Sequence, residues 1–173
     1  MIYNTNEKQR EYFYSMLTDE ERKLLQYIPT VNELLDFAVE HFADLPAISD
    51  GKITYTYKEL CERVAIRRGY LKSLHFNRGE RIAVFAPNTL DAMELYLAIV
   101  TSGYVSVMLP TQLNNLELMS ICKKFDGSAV FYDESLEKVA KSSGIEAYRI
   151  SFVEANALPP ANVTKDAICS ICL

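Results

Sequence analysis

The feature that most constrains the fold is a hydrogen-bonding pattern near residue 56. The Asp50-Gly51 dipeptide suits a tight hairpin turn, because Gly, and next to it Asp, tolerates a positive φ. A β-forming run, Ile53–Thr56, follows it. Thr56 and Glu59 have the spacing of a capping box, in which each side chain accepts a hydrogen bond from the other residue's backbone N–H. The pattern predicts a hairpin strand that ends at Thr56 and a helix that begins directly after it.

Short apolar strands alternate with helices through the rest of the chain. We predict strands at residues 81–86, 104–109, 129–132 and 147–150, and helices at residues 57–74, 89–101, 116–125 and 134–142. This alternation is typical of a parallel sheet joined by right-handed crossovers. The sequence therefore predicts an α/β fold, in which N-terminal helices and a β-hairpin precede a mostly parallel sheet with flanking helices.

Helix caps, apolar periodicity and prolines divide the chain into three parts. Residues 1–29 form a predicted helical leader, with helices at residues 8–17 and 18–27. Residues 30–152 form the α/β subdomain, which opens with a capping box at Thr30 and Glu33 and an amphipathic helix with Leu34 and Phe37 on its apolar stripe. Residues 153–173 contain a surface connection, marked by Pro159-Pro160, and a last apolar strand.

Composition excludes several classes of function. The length of 173 residues is enough for one sizeable core, and the net charge of −5 argues against binding to nucleic acid. The basic pairs Arg67-Arg68 and Lys123-Lys124 are predicted to lie on solvated helix faces. The polar N-terminus resembles no secretory signal, and the uncharged, mostly apolar run Leu95–Leu109 is too short to span a bilayer. No transmembrane segment is predicted, and a cytoplasmic location follows by default.

The cysteines and histidines do not have the spacing of a metal site. Cys169 and Cys172 are in an apolar strand, where residues three apart face opposite sides of the sheet. A zinc site needs four ligands that converge, usually on loops. We therefore predict that the four cysteines of the chain are reduced and serve as small buried hydrophobic side chains.

The order of several short motifs resembles the opening of the adenylate-forming (AMP-binding) enzymes. The motifs are Leu45–Ala47, Thr54–Leu60, Arg78–Val84, Ala86–Asn88 and Ser102-Gly103, and the resemblance extends from Thr30 to the C-terminus. That superfamily includes acyl-CoA synthetases, the adenylation domains of nonribosomal peptide synthetases, and luciferases. It implies the N-terminal portion of an ATP-dependent ligase that activates a carboxylic acid, fatty or otherwise, as its acyl-AMP. It also implies transfer of the acyl group to CoA, as in acyl-CoA synthetases.

The resemblance also implies that the phosphate loop of the family's active site is missing from these residues. The family's Gly-rich phosphate loop follows a strand like residues 166–173, and no such loop occurs in this sequence. ATP, Mg²⁺ and CoA are therefore implied for a full-length parent and not for this part alone. We expect the remainder of the parent ligase to be its partner, and we expect the chain by itself to be inactive, with no catalytic or metal-binding residues.

Three positions depart from the family pattern. His75 replaces the Gly that usually ends the first long helix, so we expect that helix to end in a different shape. Arg78 replaces a Pro before the Gly79-Glu80-Arg81 turn. Met108 takes the place of another Pro, which comes later at Pro110.

Weak candidates for substrate contacts follow the predicted strands. In open parallel sheets, ligands bind beyond the carboxyl ends of the strands. Asn88 and Asp133 hold such positions, but capping of a helix N-terminus explains both more readily. Thr111 and Gln112 have no evident capping role and are the better candidates. Two other functions stay open: an adenylation domain that loads a carrier protein, and a non-catalytic α/β interaction module.

Overall fold

The structure, a computed structural model, follows the predicted alternation of strands and helices. It describes residues 15, 18, 19, 29–164 and 167–172, without the side chain of residue 172. The two helices predicted at residues 8–17 and 18–27 lie almost wholly outside the described residues. The helices are α1 Val31–Phe42, α2 Tyr57–Ser73, α3 Leu90–Thr101, α4 Asn115–Lys124 and α5 Glu137–Ala140, with a 3-10 turn at Glu134–Leu136. The strands are β1 Pro46–Ser49, β2 Thr54–Thr56, β3 Arg81–Phe85, β4 Val105–Met108, β5 Gly127–Tyr132, β6 Glu146–Arg149 and β7 Ser170–Cys172.

Five of these strands form one parallel sheet, as predicted. Its strand order is β6-β5-β3-β4-β7, and every neighbouring pair runs in the same direction. β1 and β2 form a separate antiparallel hairpin, with a four-residue loop in which Gly51 has a φ of 88°. Because all the strands of the large sheet are parallel, their carboxyl ends share one edge.

The core has two layers, one on each face of the sheet. Residues of α2 and α3 pack against one face, around Ile82, Val84 and Phe131. Residues of α4 and α5 pack against the other, around Ala83, Phe85 and Val130. Successive residues of β3 thus point to opposite, equally buried sides, which explains why its sequence is a continuous apolar run instead of an alternating one.

Capping boxes fix the starts of three helices. The predicted capping boxes are confirmed: Glu33 N–H donates to Thr30 Oγ1 at 3.3 Å, and Glu59 N–H donates to Thr56 Oγ1 at 3.2 Å. A third box, between Asn114 and Glu117, starts α4 and was not predicted. The Thr56 box begins α2 directly at the end of the hairpin, and so sets the position of the helix relative to β2.

The apolar stripe of α1 lies largely outside the core. The helix has no buried residue, and Leu34 and Phe37 are 53% and 54% exposed. The ring of Phe37 instead contacts His41 on the same helix, with centroids 4.3 Å apart. An amphipathic pattern alone does not establish that its apolar side is covered.

The predicted burial of the cysteines is correct only in part. Cys122 is buried on α4, and burial raises the pKa of its thiol to about 11. Cys61 is half-buried and Cys169 is exposed, so the prediction is wrong for Cys169. Cys169 directly precedes β7, at the edge of the sheet, where no neighbouring strand covers it within the described residues.

His75 keeps the backbone conformation that Gly would have, contrary to our expectation. Its φ is 61°, and its N–H donates to the carbonyl of Lys72 at 3.1 Å, so α2 ends in a left-handed residue. Asp126 ends α4 in the same way, with a φ of 54°. The helix end therefore has its usual shape, and His75 bears the steric cost of a side chain in that region.

Replacing His75 by Gly is expected to stabilise the chain by about 0.5–1 kcal/mol, because it removes this strain at an exposed position. Urea unfolding followed by circular dichroism measures the change. Ser73→Gly is the matched control, since Ser73 is the last helical residue of α2 and Gly there should destabilise the helix slightly. If His75→Gly and Ser73→Gly change the free energy of unfolding in the same direction, the prediction is contradicted.

The connection from β6 to β7 is irregular, as predicted, but it is held firmly across the helices. Leu158 N–H donates to the Ala65 carbonyl at 3.0 Å, and Ala161 N–H donates to the Thr101 carbonyl at 2.8 Å. Side chains add further bonds: Arg68 Nε to the Leu158 carbonyl at 2.7 Å, Asn32 Nδ2 to the Ala161 carbonyl at 2.7 Å and Arg78 Nη2 to the Asn162 carbonyl at 2.5 Å. We call residues 152–164 the strap.

Candidate functional site

A cavity of about 430 Å³ lies at the carboxyl edge of the parallel sheet. The connections after β3 and β4 lead to opposite faces of the sheet, because α3 packs on one face and α4 on the other. Ligands of open parallel sheets bind at such a divergence. Four elements line the cavity: the hairpin, the start of α3, the end of β4 and β7.

The lining of the cavity is predominantly apolar. Its apolar side chains are Ile48, Leu90, Ala92, Met93, Tyr96 and Met108. Met93 is 43% exposed, although its neighbours on α3 are mostly buried. A cavity of this size and character suits a small hydrophobic group with few polar contacts.

Most polar groups of the lining are engaged in local structure. The Asp50 carboxylate accepts hydrogen bonds from the N–H groups of Ile53 at 2.8 Å and Lys52 at 2.9 Å, and these bonds lower the pKa of Asp50. Thr89 Oγ1 accepts from the N–H of Ala92 and caps α3. Asp50 and Thr89 therefore shape the wall of the cavity.

Asn88 is the one predicted site residue that lines the cavity. It is exposed at the carboxyl end of β3, and it does not cap α3, because the next residue, Thr89, does. The capping interpretation of Asn88 is wrong: the helix begins one residue later, which leaves the Asn88 side chain outside the capping position. For Asp133 the capping interpretation is confirmed, since its Oδ1 accepts from Ser135 N–H at 3.0 Å.

Thr111 and Gln112 lie beyond the cavity, in the connection between β4 and α4. Thr111 is half-buried and Gln112 is exposed, and neither contributes to the cavity wall. Sequence reasoning instead missed Met93 and Tyr96. Their spacing of three residues on α3 was a usable signal, but it did not show which side of the helix faces the cavity.

A buried charge cluster supports the helix that forms one wall. The side chains of Arg67 and Glu94 are each 1% exposed, and Arg67 Nε donates to Glu94 Oε2 at 2.9 Å. Arg67 also pairs with Asp91 and donates to the Ile150 carbonyl at 2.8 Å, while Arg63 pairs with Glu94 at 2.5 Å. The cluster thus joins α2, α3 and the end of β6.

The interpretation of Arg67-Arg68 as a solvated helix face is wrong. Arg67 and Arg68 are 1% and 9% exposed, because α3 and the strap cover this side of α2. The Phe152 ring of the strap contacts the guanidinium of Arg63, 4.1 Å from the ring centroid. Lys123 and Lys124, the other basic pair, are exposed as predicted.

Comparison with known proteins identifies the family. The family model of the AMP-binding enzymes matches residues 35–167, which is most of the chain. The chain belongs to the AMP-binding enzyme family.

Curated relatives of this AMP-binding chain include a CoA ligase and a hybrid PKS-NRPS synthetase. It is 26% identical over 106 residues to a peroxisomal benzoate–CoA ligase of Arabidopsis thaliana, a match that covers 61% of the chain and 18% of the relative. It is 29% identical over 115 residues to a hybrid PKS-NRPS synthetase of Emericella nidulans, covering 66% of the chain and 3% of the relative. The chain thus corresponds to a minor part of each relative.

Solved structures show the same fold. A benzoate CoA ligase from Burkholderia xenovorans superposes with a TM-score of 0.74 at 20% sequence identity, over 83% of this chain and 32% of that one. The parallel sheet, its flanking helices and the hairpin are those of the N-terminal subdomain of adenylate-forming enzymes. The predicted fold and the predicted resemblance are both confirmed.

The described residues of the AMP-binding chain contain neither a metal-binding group of side chains nor a membrane-spanning helix. Among residues 29–164 and the other described positions, no three His, Cys, Asp or Glu side chains gather as a metal site would require. In the same part of the chain, no helix is both long and apolar enough to cross a membrane.

Proposed function

We propose that this chain serves as the N-terminal part of an ATP-dependent acid–thiol ligase that converts a carboxylic acid to its acyl-AMP and then to an acyl-CoA. The family match over residues 35–167 carries this proposal. Both the Arabidopsis and the Burkholderia relatives are described as benzoate–CoA ligases. They favour CoA as the acceptor and an aromatic or other hydrophobic acid as the substrate.

The residues of this chain support the proposal through the shape of the carboxyl edge. The cavity presents the thioether of Met93, the ring of Tyr96 and the side chain of Ile48 to one space, beside the Asn88 amide. Such a wall can exclude water from a hydrophobic group, while Asn88 can donate to or accept from a polar atom. The bond-making steps depend on cations and N–H donors positioned around the transferring phosphate, and we assign these steps to the rest of the parent.

The test is an assay of ATP–pyrophosphate exchange on the full reading frame that contains these residues, with benzoate, cinnamate and a fatty acid as substrates. We expect exchange with at least one of the acids, and none by the 173-residue chain alone. Exchange by the chain alone would contradict the assignment of catalysis to the rest of the parent. Absence of exchange by the full frame with any acid would contradict the ligase function and favour an interaction module.

The thiol acceptor has a second candidate, because one relative is a hybrid PKS-NRPS synthetase. In that case the parent would load a carrier-protein thiol instead of CoA. Formation of acyl-CoA by the full frame, detected by mass spectrometry, would support CoA. Acyl transfer only to a carrier protein would support the alternative without affecting the adenylation step.

A further inference from the structure

Arg67 and Arg68 are adjacent in the sequence and similarly buried, but they have different partners. Arg67 pairs with two carboxylates, Glu94 and Asp91. Arg68 donates to neutral groups, the Leu158 carbonyl at 2.7 Å and Thr101 Oγ1 at 3.2 Å. Within the described residues, no carboxylate forms an ion pair with Arg68. The nearby Asp36 carboxylate acts on Arg68 without pairing with it, and a buried cation with no directly bonded carboxylate is costly.

Arg68 lines a pocket that contains two more cations. The pocket has a volume of about 260 Å³, and Lys72 and Arg78 lie in its wall. Among the described residues, no Asp or Glu contributes to this wall, although the chain as a whole carries a net charge of −5. We call this site the basic pocket. Its charge is a local feature and does not follow from the composition of the chain.

The strap holds two of these cations, Arg68 and Arg78. Arg78 Nη2 donates to the Asn162 carbonyl at 2.5 Å, and Arg78 lies directly against Gly103. Lys72 is exposed in the last turn of α2. Burial lowers the pKa of the Arg68 guanidinium, and the nearby Asp36 carboxylate opposes that shift only in part.

The rest of the wall combines the hydroxyl groups of Ser102 and Tyr104 with apolar surface. The rings of Phe76 and Tyr104 pack edge to face with centroids 5.9 Å apart. Tyr104 and Arg78 precede β4 and β3, so the basic pocket lies at the amino edge of the sheet. The cavity with Asn88 lies at the opposite edge, and the two sites are separate.

We propose that the basic pocket binds a phosphate group, either as inorganic phosphate or at the end of a phosphomonoester. Guanidinium, ammonium and hydroxyl donors around one space match the charge and the acceptor oxygens of phosphate. The Phe76 and Tyr104 rings offer an apolar surface to the organic part of a monoester. This proposal is independent of the ligase function.

Phosphate binding is tested on the 173-residue chain by ³¹P NMR titration and by thermal unfolding, with sodium chloride at equal ionic strength as the reference. We expect phosphate to raise the midpoint of unfolding more than chloride does. Lys72→Gln and Arg78→Gln should each weaken binding about tenfold, since each removes one charge-assisted hydrogen bond. Lys52→Gln, in the exposed hairpin loop, is the matched control and should bind like the wild type.

A second titration, with phenyl phosphate, distinguishes the two sources of the phosphate group. Tighter binding than that of inorganic phosphate indicates a monoester site that uses the rings, whereas equal binding indicates a site for the free ion. The proposal is overturned if phosphate stabilises the chain no more than chloride does. It is also overturned if Lys72→Gln and Arg78→Gln bind phosphate as Lys52→Gln does, since the cations would then only complement the ends of α2 and α3.

Discussion

Glu94→Gln is expected to destabilise the chain by about 3 kcal/mol, the largest effect of any single substitution that we predict. Gln has nearly the same shape as Glu, so the change removes the charge and little packing. Arg67, with 1% of its side chain exposed, would keep only Asp91, and Arg63 would lose its carboxylate partner. A buried guanidinium without sufficient opposite charge costs far more free energy than an exposed one.

A second cluster of similar composition provides the control. Arg149 pairs with Glu134 at 3.0 Å and with Glu137 at 2.9 Å, but its side chain is 49% exposed. Water and salt screen such pairs, so Glu137→Gln should cost at most about 1 kcal/mol. Urea unfolding of both variants gives the comparison. If Glu94→Gln and Glu137→Gln have the same small effect, burial does not set the importance of the first cluster.

Gly69→Ala is expected to destabilise the chain by at least about 2 kcal/mol, opposite in sign to the usual effect of Ala in a helix. A Cβ atom at Gly69 would lie 1.9 Å from the carbonyl oxygen of Asn156 in the strap. That distance is far inside van der Waals contact, and the obstructing atom belongs to the backbone. The strap must therefore move away from α2, which breaks bonds such as that from Arg68 to the Leu158 carbonyl.

Thermal unfolding and limited proteolysis measure this effect together. We expect a lower midpoint and new cleavage within residues 152–164, because the displaced strap becomes accessible. Ser73→Ala, at an exposed position of the same helix, is the control and should be neutral or slightly stabilising. A stabilised Gly69→Ala chain with an uncleaved strap would show that the close contact between α2 and the strap does not exist.

Local signals in the sequence were sufficient for most of the fold. The capping residues Thr30 and Thr56 predicted the starts of α1 and α2 correctly, because a capping box involves only residues three apart. The apolar run of β3 predicted a strand buried on both faces, as the structure shows. The alternation of strands and helices then gave the parallel sheet, since parallel strands need a crossover between them.

The candidate site was only partly predictable. Asn88 was found by its position after β3, since the carboxyl ends of parallel strands form a common edge. Thr111 and Gln112 were chosen by the same rule but lie outside the cavity. The rule identifies an edge of the sheet, while the cavity occupies only the part of that edge between the hairpin, α3 and β7.

The sequence by itself determined the elements, their order and the family, because these depend on hydrogen bonds and apolar patterns within short segments. The tertiary structure alone decided which polar residues are buried. Arg67, Arg68 and Glu94 look in the sequence like ordinary charged residues of solvent-facing helices, yet all three are buried. Their burial results from the packing of α2 against α3 and from a strap that joins residues up to 129 positions apart. Contacts over such distances leave no periodic signal in the sequence, so only the folded chain shows where its charges lie.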